Sequence, residues 1–194
     1  MKVSLAIPYH QSPDTAFFLG RLLDSIWRQT FTDYEIVLTA EGPMAHNHNA
    51  AILKSKGEIV QMLQMDDMFS SSDSLQNIVD GFKDENVIWQ ITASQHTSGP
   101  PHNPLMTNDI YTGNNRLGSI STLSFRRENQ LLFEEPLTWL VDSDLYYRLF
   151  LKYGPPNILK TYNVTIDIRT DRLTHTIPDK IKLEEYNYLM KKYG

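Results

Sequence analysis

The stretch EIVQMLQMDDMF, residues 58–69, decides the fold. Glu58–Gln64 reads as a short apolar strand, and its carboxyl end carries two adjacent acids, Asp66 and Asp67. A buried strand does not hold a pair of like charges without something to neutralise them, because desolvating a carboxylate is costly. The pair therefore marks the point where a strand leaves the core and meets a ligand or solvent.

Working outward, the neighbouring segments alternate between strand and helix patterns. Val3–Ile7 is an apolar run stopped by Pro8, and Tyr34–Thr39 is a second strand. Between them Asp14 is placed to cap a helix reaching about Gln29, with Phe18, Leu19, Leu22, Leu23 and Ile26 at i, i+3, i+4 spacing. His46–Ser55 reads as a modest helix closed by Gly57, Ser72–Phe82 as another, and Val87–Thr92 as a fourth strand. Alternation of this kind predicts an α/β fold with a mostly parallel central sheet, flanked by helices joined through right-handed crossovers. Ligands of such sheets bind beyond the carboxyl ends of the strands, where Pro8-Tyr9, Ala40-Glu41 and Asp66-Asp67 all lie.

Residues 93–118 break the rhythm with Pro, Gly, Asn, Thr and Ser, and read as a long functional loop. Ser119–Phe125 resumes as a strand. A helix from Asp142 to Tyr153 ends at Gly154-Pro155-Pro156, a β-rich part follows over Ile158–Ile168, and residues 179–193 form a last helix. In that helix Ile181, Leu183, Tyr186, Leu189 and Met190 are expected on one side.

Bulk properties narrow the function classes. The 194 residues suffice for one domain with a real core, 41% being hydrophobic and 21% charged. Net charge is −5 and no basic run exceeds a pair such as Arg126-Arg127, so a nucleic-acid groove is not expected. With no cysteine there is no thiolate metal site, disulfide framework or cysteine nucleophile. The opening MKVSLAIPYH is too short an apolar run for a signal peptide or membrane span, which points to a soluble, cytoplasmic protein, compatible with peripheral membrane association. The P-loop, GxGxxG and GxSxG patterns are absent.

Oxygen ligands without Cys or His beside them suit a hard cation, Mn²⁺ or Mg²⁺, that also binds substrate phosphates. Taken alone, the Asp66-Asp67 dipeptide fits a solvated turn better, the commoner case for so short a motif. Asp142 follows an apolar segment and starts a helix, where the macrodipole favours its ionised form; it reads as a general base or as a plain cap. Asp144 reads as structural or as support for a metal site. His46 and His48, two residues apart, do not share a helical face, and His96 and His102 sit in the long loop. His175 lies where a third metal or phosphate ligand returns to the site. Trp139 fits either stacking on a bound ligand or packing at the helix start.

In order, SLAIPYH, LLDSIWRQTFTDYEIVL, NHNAAILKSKGEIV, QMDD and VDSDLYYRL make the whole chain resemble family 2 glycosyltransferases of the GT-A fold. The resemblance implies a single GT-A domain over residues 1–194, with a nucleotide-binding half (1–92), an acceptor-binding half (93–194) and a small antiparallel C-terminal part. It implies an inverting glycosyltransferase that moves a sugar from a nucleoside-diphosphate sugar to a glycan, polysaccharide or lipid-linked acceptor, assisted by Mn²⁺ or Mg²⁺. Carried over by position, Pro8 and Tyr9 frame the base, Glu41 contacts base or ribose, and His48 approaches the diphosphate. Asp66 touches ribose or metal, Asp67 binds the metal, and Asp142 is the base. Four positions depart from the family pattern: Glu41 replaces an Asp, Gln64 the first acid of the metal motif, Val141 the Glu before the base, and His48 an Arg. These departures keep open a catalytically degenerate sugar-nucleotide or glycan binding module. A nucleotidyltransferase would need a Gly-rich N-terminal loop that this sequence lacks.

Overall fold

The computed structural model describes residues 1–169 and 176–194. Among them, one sheet contains β1 (Val3–Pro8), β2 (Tyr34–Thr39), β3 (Ile59–Met62), β4 (Met68–Phe69), β5 (Trp89–His96), β6 (Leu123–Arg126) and β7 (Asn157–Ile166) in the order β2-β1-β3-β6-β5-β7-β4. β1 pairs in parallel with β2 and β3, and β5 in parallel with β7. β6 is inserted antiparallel between β3 and β5, and β4 lies antiparallel on β7. Five strands thus run one way and two the other, giving a mixed, mostly parallel α/β sheet in which chain from beyond residue 92 sits in the middle.

Each strand of the central sheet must satisfy two faces, and β1 shows how. Its alternate residues Val3, Leu5 and Ile7 pack with Leu22 and Ile26 of α1 (Thr15–Trp27) and with Leu75 and Ile78 of α3 (Ser74–Asp80). On the other face Ala6 joins Ala45, Ala51 and Ile52 of α2 (Met44–Lys54) and Leu145, Tyr146 and Leu149 of α4 (Val141–Tyr153). The last helix, α5 (Asp179–Tyr193), adds Leu189 to that second cluster.

Some local expectations change. Asp14 makes no side-chain cap; instead Thr15 Oγ1 donates to His10 O at 2.8 Å and accepts from Ser12 N–H at 2.7 Å. On α5 the apolar stripe is not the buried face, since Ile181, Leu183 and Tyr186 are exposed whereas Glu185 and Leu189 are buried. The reason is polar: the Glu185 carboxylate accepts three backbone N–H groups, as described below, and this turns the helix. Residues 93–118 are no structureless loop. β5 extends to His96, Ser94 and His102 exchange both backbone hydrogen bonds, and Leu105 N–H donates to Arg116 O at 2.9 Å. Ile110 and Leu117, fully buried, anchor this segment at a spacing with no period. The strand expected from Ser119 starts with a helical turn, Ile120–Thr122, before β6.

Gly57 serves β1 rather than closing α2. A Cβ there would sit 2.6 Å from Ser4 N and 2.8 Å from Lys2 O, both backbone atoms, while Gly57 N–H donates to Ser4 Oγ at 2.7 Å. Gly57→Ala is expected to destabilise by roughly 1–3 kcal/mol, because the strand cannot move aside cheaply. A urea midpoint equal to that of the wild type would refute this.

Candidate active site

The carboxyl ends of β1 and β3, the start of α2 and the start of α4 surround a cleft of about 690 Å³. Pro8, Tyr9, His48, Asp66, Asp67 and Asp142 all line it, as does Trp139. Glu41 is not among its lining residues; its carboxylate pairs with Lys54. His175 lies outside the described residues.

Asn47 ties the first two strand ends together. Its Nδ2 donates to Tyr9 O at 2.9 Å and its Oδ1 accepts from Glu41 N–H at 2.9 Å, while Tyr9 N–H reaches Thr39 O at 2.8 Å. One turn on, His48 is buried against the Phe133 ring, with Nδ1 2.7 Å from Met44 O. Burial pushes its pKa down to about 4, so the ring is neutral, donates through Nδ1 and offers Nε2 as a lone pair. It therefore brings no positive charge to the cleft at neutral pH.

The acid pair after β3 is neutralised in two different ways. Asp67, almost fully buried, accepts Ser121 Oγ at 2.5 Å on Oδ2 and Asp167 N–H at 2.9 Å on Oδ1. Asp66 is partly exposed and meets the Arg169 guanidinium at 3.2 Å. Arg169 in turn lies over the Phe18 ring at 4.2 Å and within 3.9 Å of Asp167. Among the described lining residues it is the one arginine or lysine. Gln64, where the metal motif would carry an acid, is held through its N–H by Ser121 Oγ at 2.8 Å.

Among the described residues no group of three or more His, Asp or Glu side chains is arranged to hold a cation. The donor set instead fits the mode in which Mg²⁺ or Mn²⁺ uses one or two carboxylates and completes its shell with water and phosphate oxygens. Asp66 and Asp67 are the carboxylates in the cleft that would hold it.

Across the cleft, Asp142 opens α4. Its Oδ1 accepts Ser143 N–H at 2.8 Å and its Oδ2 accepts Asn115 Nδ2 at 3.0 Å. Burial pushes its pKa up to about 6, the hydrogen bonds from Ser143 and Asn115 opposing the rise. The segment leading into α4 is clamped from behind, where Glu185 accepts Thr138, Trp139 and Leu140 N–H at 2.8, 2.9 and 2.8 Å. Trp139 is thereby fixed half-buried at the rim, with Lys182 Nζ 6.0 Å from its ring. Asp144 is structural: fully buried, it binds Arg148 Nε at 2.7 Å, Tyr193 OH at 2.7 Å and Lys192 Nζ at 3.0 Å.

Asn47, Asn115, Ser121, Arg169 and Glu185 were not singled out from the sequence. Only Asn115 had a local signal, the turn-like run GNNRLG.

No protein-family model matches the chain, and no curated protein matches it. Solved structures do. S. aureus TarS 1–349 in complex with UDP-GlcNAc superposes with TM-score 0.72 at 14% identity, over 99% of this chain and 66% of that one. A mannosyltransferase from Pyrobaculum calidifontis, PcManGT, in complex with GDP-Man and Mn²⁺, superposes with TM-score 0.64 at 16% identity, over 99% and 64%. The chain has the GT-A glycosyltransferase fold. It spans about two thirds of each of these relatives and 43% of a longer TarS structure.

Proposed function

We propose that this GT-A chain is an inverting glycosyltransferase that moves a sugar from a nucleoside-diphosphate sugar to an acceptor hydroxyl. The reading is carried by one observation: a single cleft holds an ionisable base on one wall, Asp142, and an acid pair at a strand end on the other, Asp66 and Asp67. The nucleotide base lies between Pro8-Tyr9 and the start of α2, and the diphosphate lies toward Asp66, Asp67 and Arg169. Asp142 takes the proton of the acceptor hydroxyl, that oxygen bonds to the anomeric carbon, and the bond from that carbon to the diphosphate oxygen breaks. The nucleoside diphosphate leaves with the bonding electrons, and the sugar carbon inverts. A divalent cation, when bound, neutralises charge on the leaving diphosphate. TarS was solved with UDP-GlcNAc and PcManGT with GDP-Man and Mn²⁺, which supports a donor of that class here.

A nucleoside diphosphate at about 100 times its Kd, with Mn²⁺, is expected to stabilise the fold by about 2.7 kcal/mol. For a chain of this size that is roughly 5–10 °C in Tm, with little shift when either component is omitted. A flat response to uridine and guanosine diphosphates with Mn²⁺ would remove the donor site. A second reading, a non-catalytic binding module, is favoured by Glu41 turning to Lys54 and Asp66 being tied to Arg169. It gives the same thermal shift but no hydrolysis or transfer of any donor sugar.

A further inference from the structure

The base does not stand alone on its helix; it is held by a turn from residues 115–119. We propose that Asn115 is a positioning residue that orients the Asp142 carboxylate for proton abstraction. This rests on the reading of Asp142 as the base.

The amide of Asn115 has no freedom to rotate. Its Oδ1 accepts Leu117 N–H at 3.0 Å and Gly118 N–H at 3.1 Å, and its Nδ2 donates to Gly118 O at 3.1 Å and to Asp142 Oδ2 at 3.0 Å. Flipping the amide would set its NH₂ against two backbone N–H groups and its oxygen against a carboxylate, so the network fixes which atom faces Asp142. The turn itself is anchored twice. Leu117 is fully buried, and Tyr146 OH donates to Ser119 O at 3.1 Å. Gly118 has φ +105, and a Cβ there would sit 3.0 Å from the His102 ring, so only glycine closes the turn cheaply.

Tyr146 stands one helical turn after Asp142 on α4. The circuit therefore closes: α4 holds the turn through Tyr146, and the turn holds the α4 base through Asn115. Ser143 N–H fixes one carboxylate oxygen and Asn115 the other, which defines the carboxylate plane and leaves the remaining lone pairs for the acceptor. Tyr146 faces Asp142 from its own helix, and its phenol is held well above its usual pKa by burial and by the Asp142 charge. Among the described residues, the other ionisable groups lining the cleft are Tyr9, His10, Asp14, His48, Asp66, Asp67 and Arg169, with Glu185 behind the helix start and Arg116, exposed, on the turn. Asn115 is the neutral donor that favours the ionised form of Asp142 against burial.

The test titrates Asp142 directly, by its carboxyl ¹³C resonance, in the wild type, Asn115→Ala and Asn115→Asp, alongside the pH profile of turnover. Asn115→Asp keeps the acceptor for Leu117 and Gly118 and so preserves the turn while removing the donor; Asn115→Ala removes both. Losing a hydrogen bond to a charged group is expected to move the Asp142 titration upward by about one to two units and, through the lost ionised fraction, to lower kcat at pH 7 by roughly 2- to 10-fold, with the donor KM little changed. Asn115→Asp moves the titration further up, since a second carboxylate then faces the first. If Asn115→Asp leaves both the Asp142 titration and the pH profile as in the wild type, the positioning role is overturned. Failure of the base reading looks different: Asp142→Asn would then keep turnover, whatever the Asn115 variants do to the Asp142 resonance.

Discussion

Asp142→Asn is expected to lower turnover roughly 10²–10⁴-fold, the usual contribution of a positioned general base, while nucleoside diphosphate binding survives. The separation follows from the site's layout, with Asp142 on the α4 wall and the acid pair on the β3 wall of one cleft. The wild-type profile supplies a second signature. Only the carboxylate accepts the acceptor proton, and burial holds the Asp142 pKa at about 6. Turnover should therefore fall about tenfold per unit below pH 6 and level off above pH 7. Stability moves the opposite way. The folded pKa of about 6 lies above the ordinary aspartate value of 3.8, so between those values the folded state binds the extra proton. The wild type thus loses stability as pH rises from 4 through 6, and the deficit persists above 6. Asn carries no charge to desolvate, so Asp142→Asn should melt higher than the wild type at pH 7.5, by up to about 2 kcal/mol after allowing for partial access from the cleft. At pH 4 the difference should vanish. A variant that loses nucleotide binding together with activity, or whose Tm advantage does not depend on pH, would take Asp142 out of the base role.

What was legible in the sequence divides along a physical line. Local periodicity carried the strands and helices of the first half, because Val3–Ile7 and Phe18–Ile26 repeat their apolar residues at the period of the element they form. The same logic failed for residues 93–118. There the anchors, Ile110 and Leu117, recur at no helical or strand period, and Ser94 pairs with His102 across a Gly-Pro-Pro turn that carries no alternating apolar pattern. The α5 face was misjudged for a related reason. Hydrophobic pattern favoured Ile181 and Leu183, whereas a buried carboxylate with three N–H partners decided the orientation. In the cleft, single residues at strand ends could be placed by position, but the groups that set their charge could not. Arg169 lies 103 residues from the Asp66 it pairs with, and Asn115 lies 27 residues from Asp142. Partnerships of that range become visible only once the sheet has brought them together.

Asp144→Asn should cost about 3 kcal/mol of stability, the low end for breaking a buried ion pair. Asp144 is fully buried and ties Arg148 on its own helix to Lys192 and Tyr193 at the end of α5. The amide can satisfy only part of that set, and two cations lose their common counter-charge. The low end applies because Arg148 and Lys192 keep about a quarter of their side-chain surface in water and can partly rehydrate. In a domain of this size the expected fall in Tm is roughly 6–12 °C. Part of the loss should appear as loosening of α5, because Glu134, Tyr188 and Lys192 form a surface extension of the same network. Amide hydrogen exchange should therefore rise in 179–193 before it rises in β1. Activity provides the contrast with Asp142→Asn. The Asp144 side chain does not line the cleft, and Ser143 and Asn115 still hold Asp142, so well below the variant's Tm turnover should stay within about threefold of the wild type. A variant as stable as the wild type but catalytically dead would place Asp144 among the reacting groups and overturn its structural assignment.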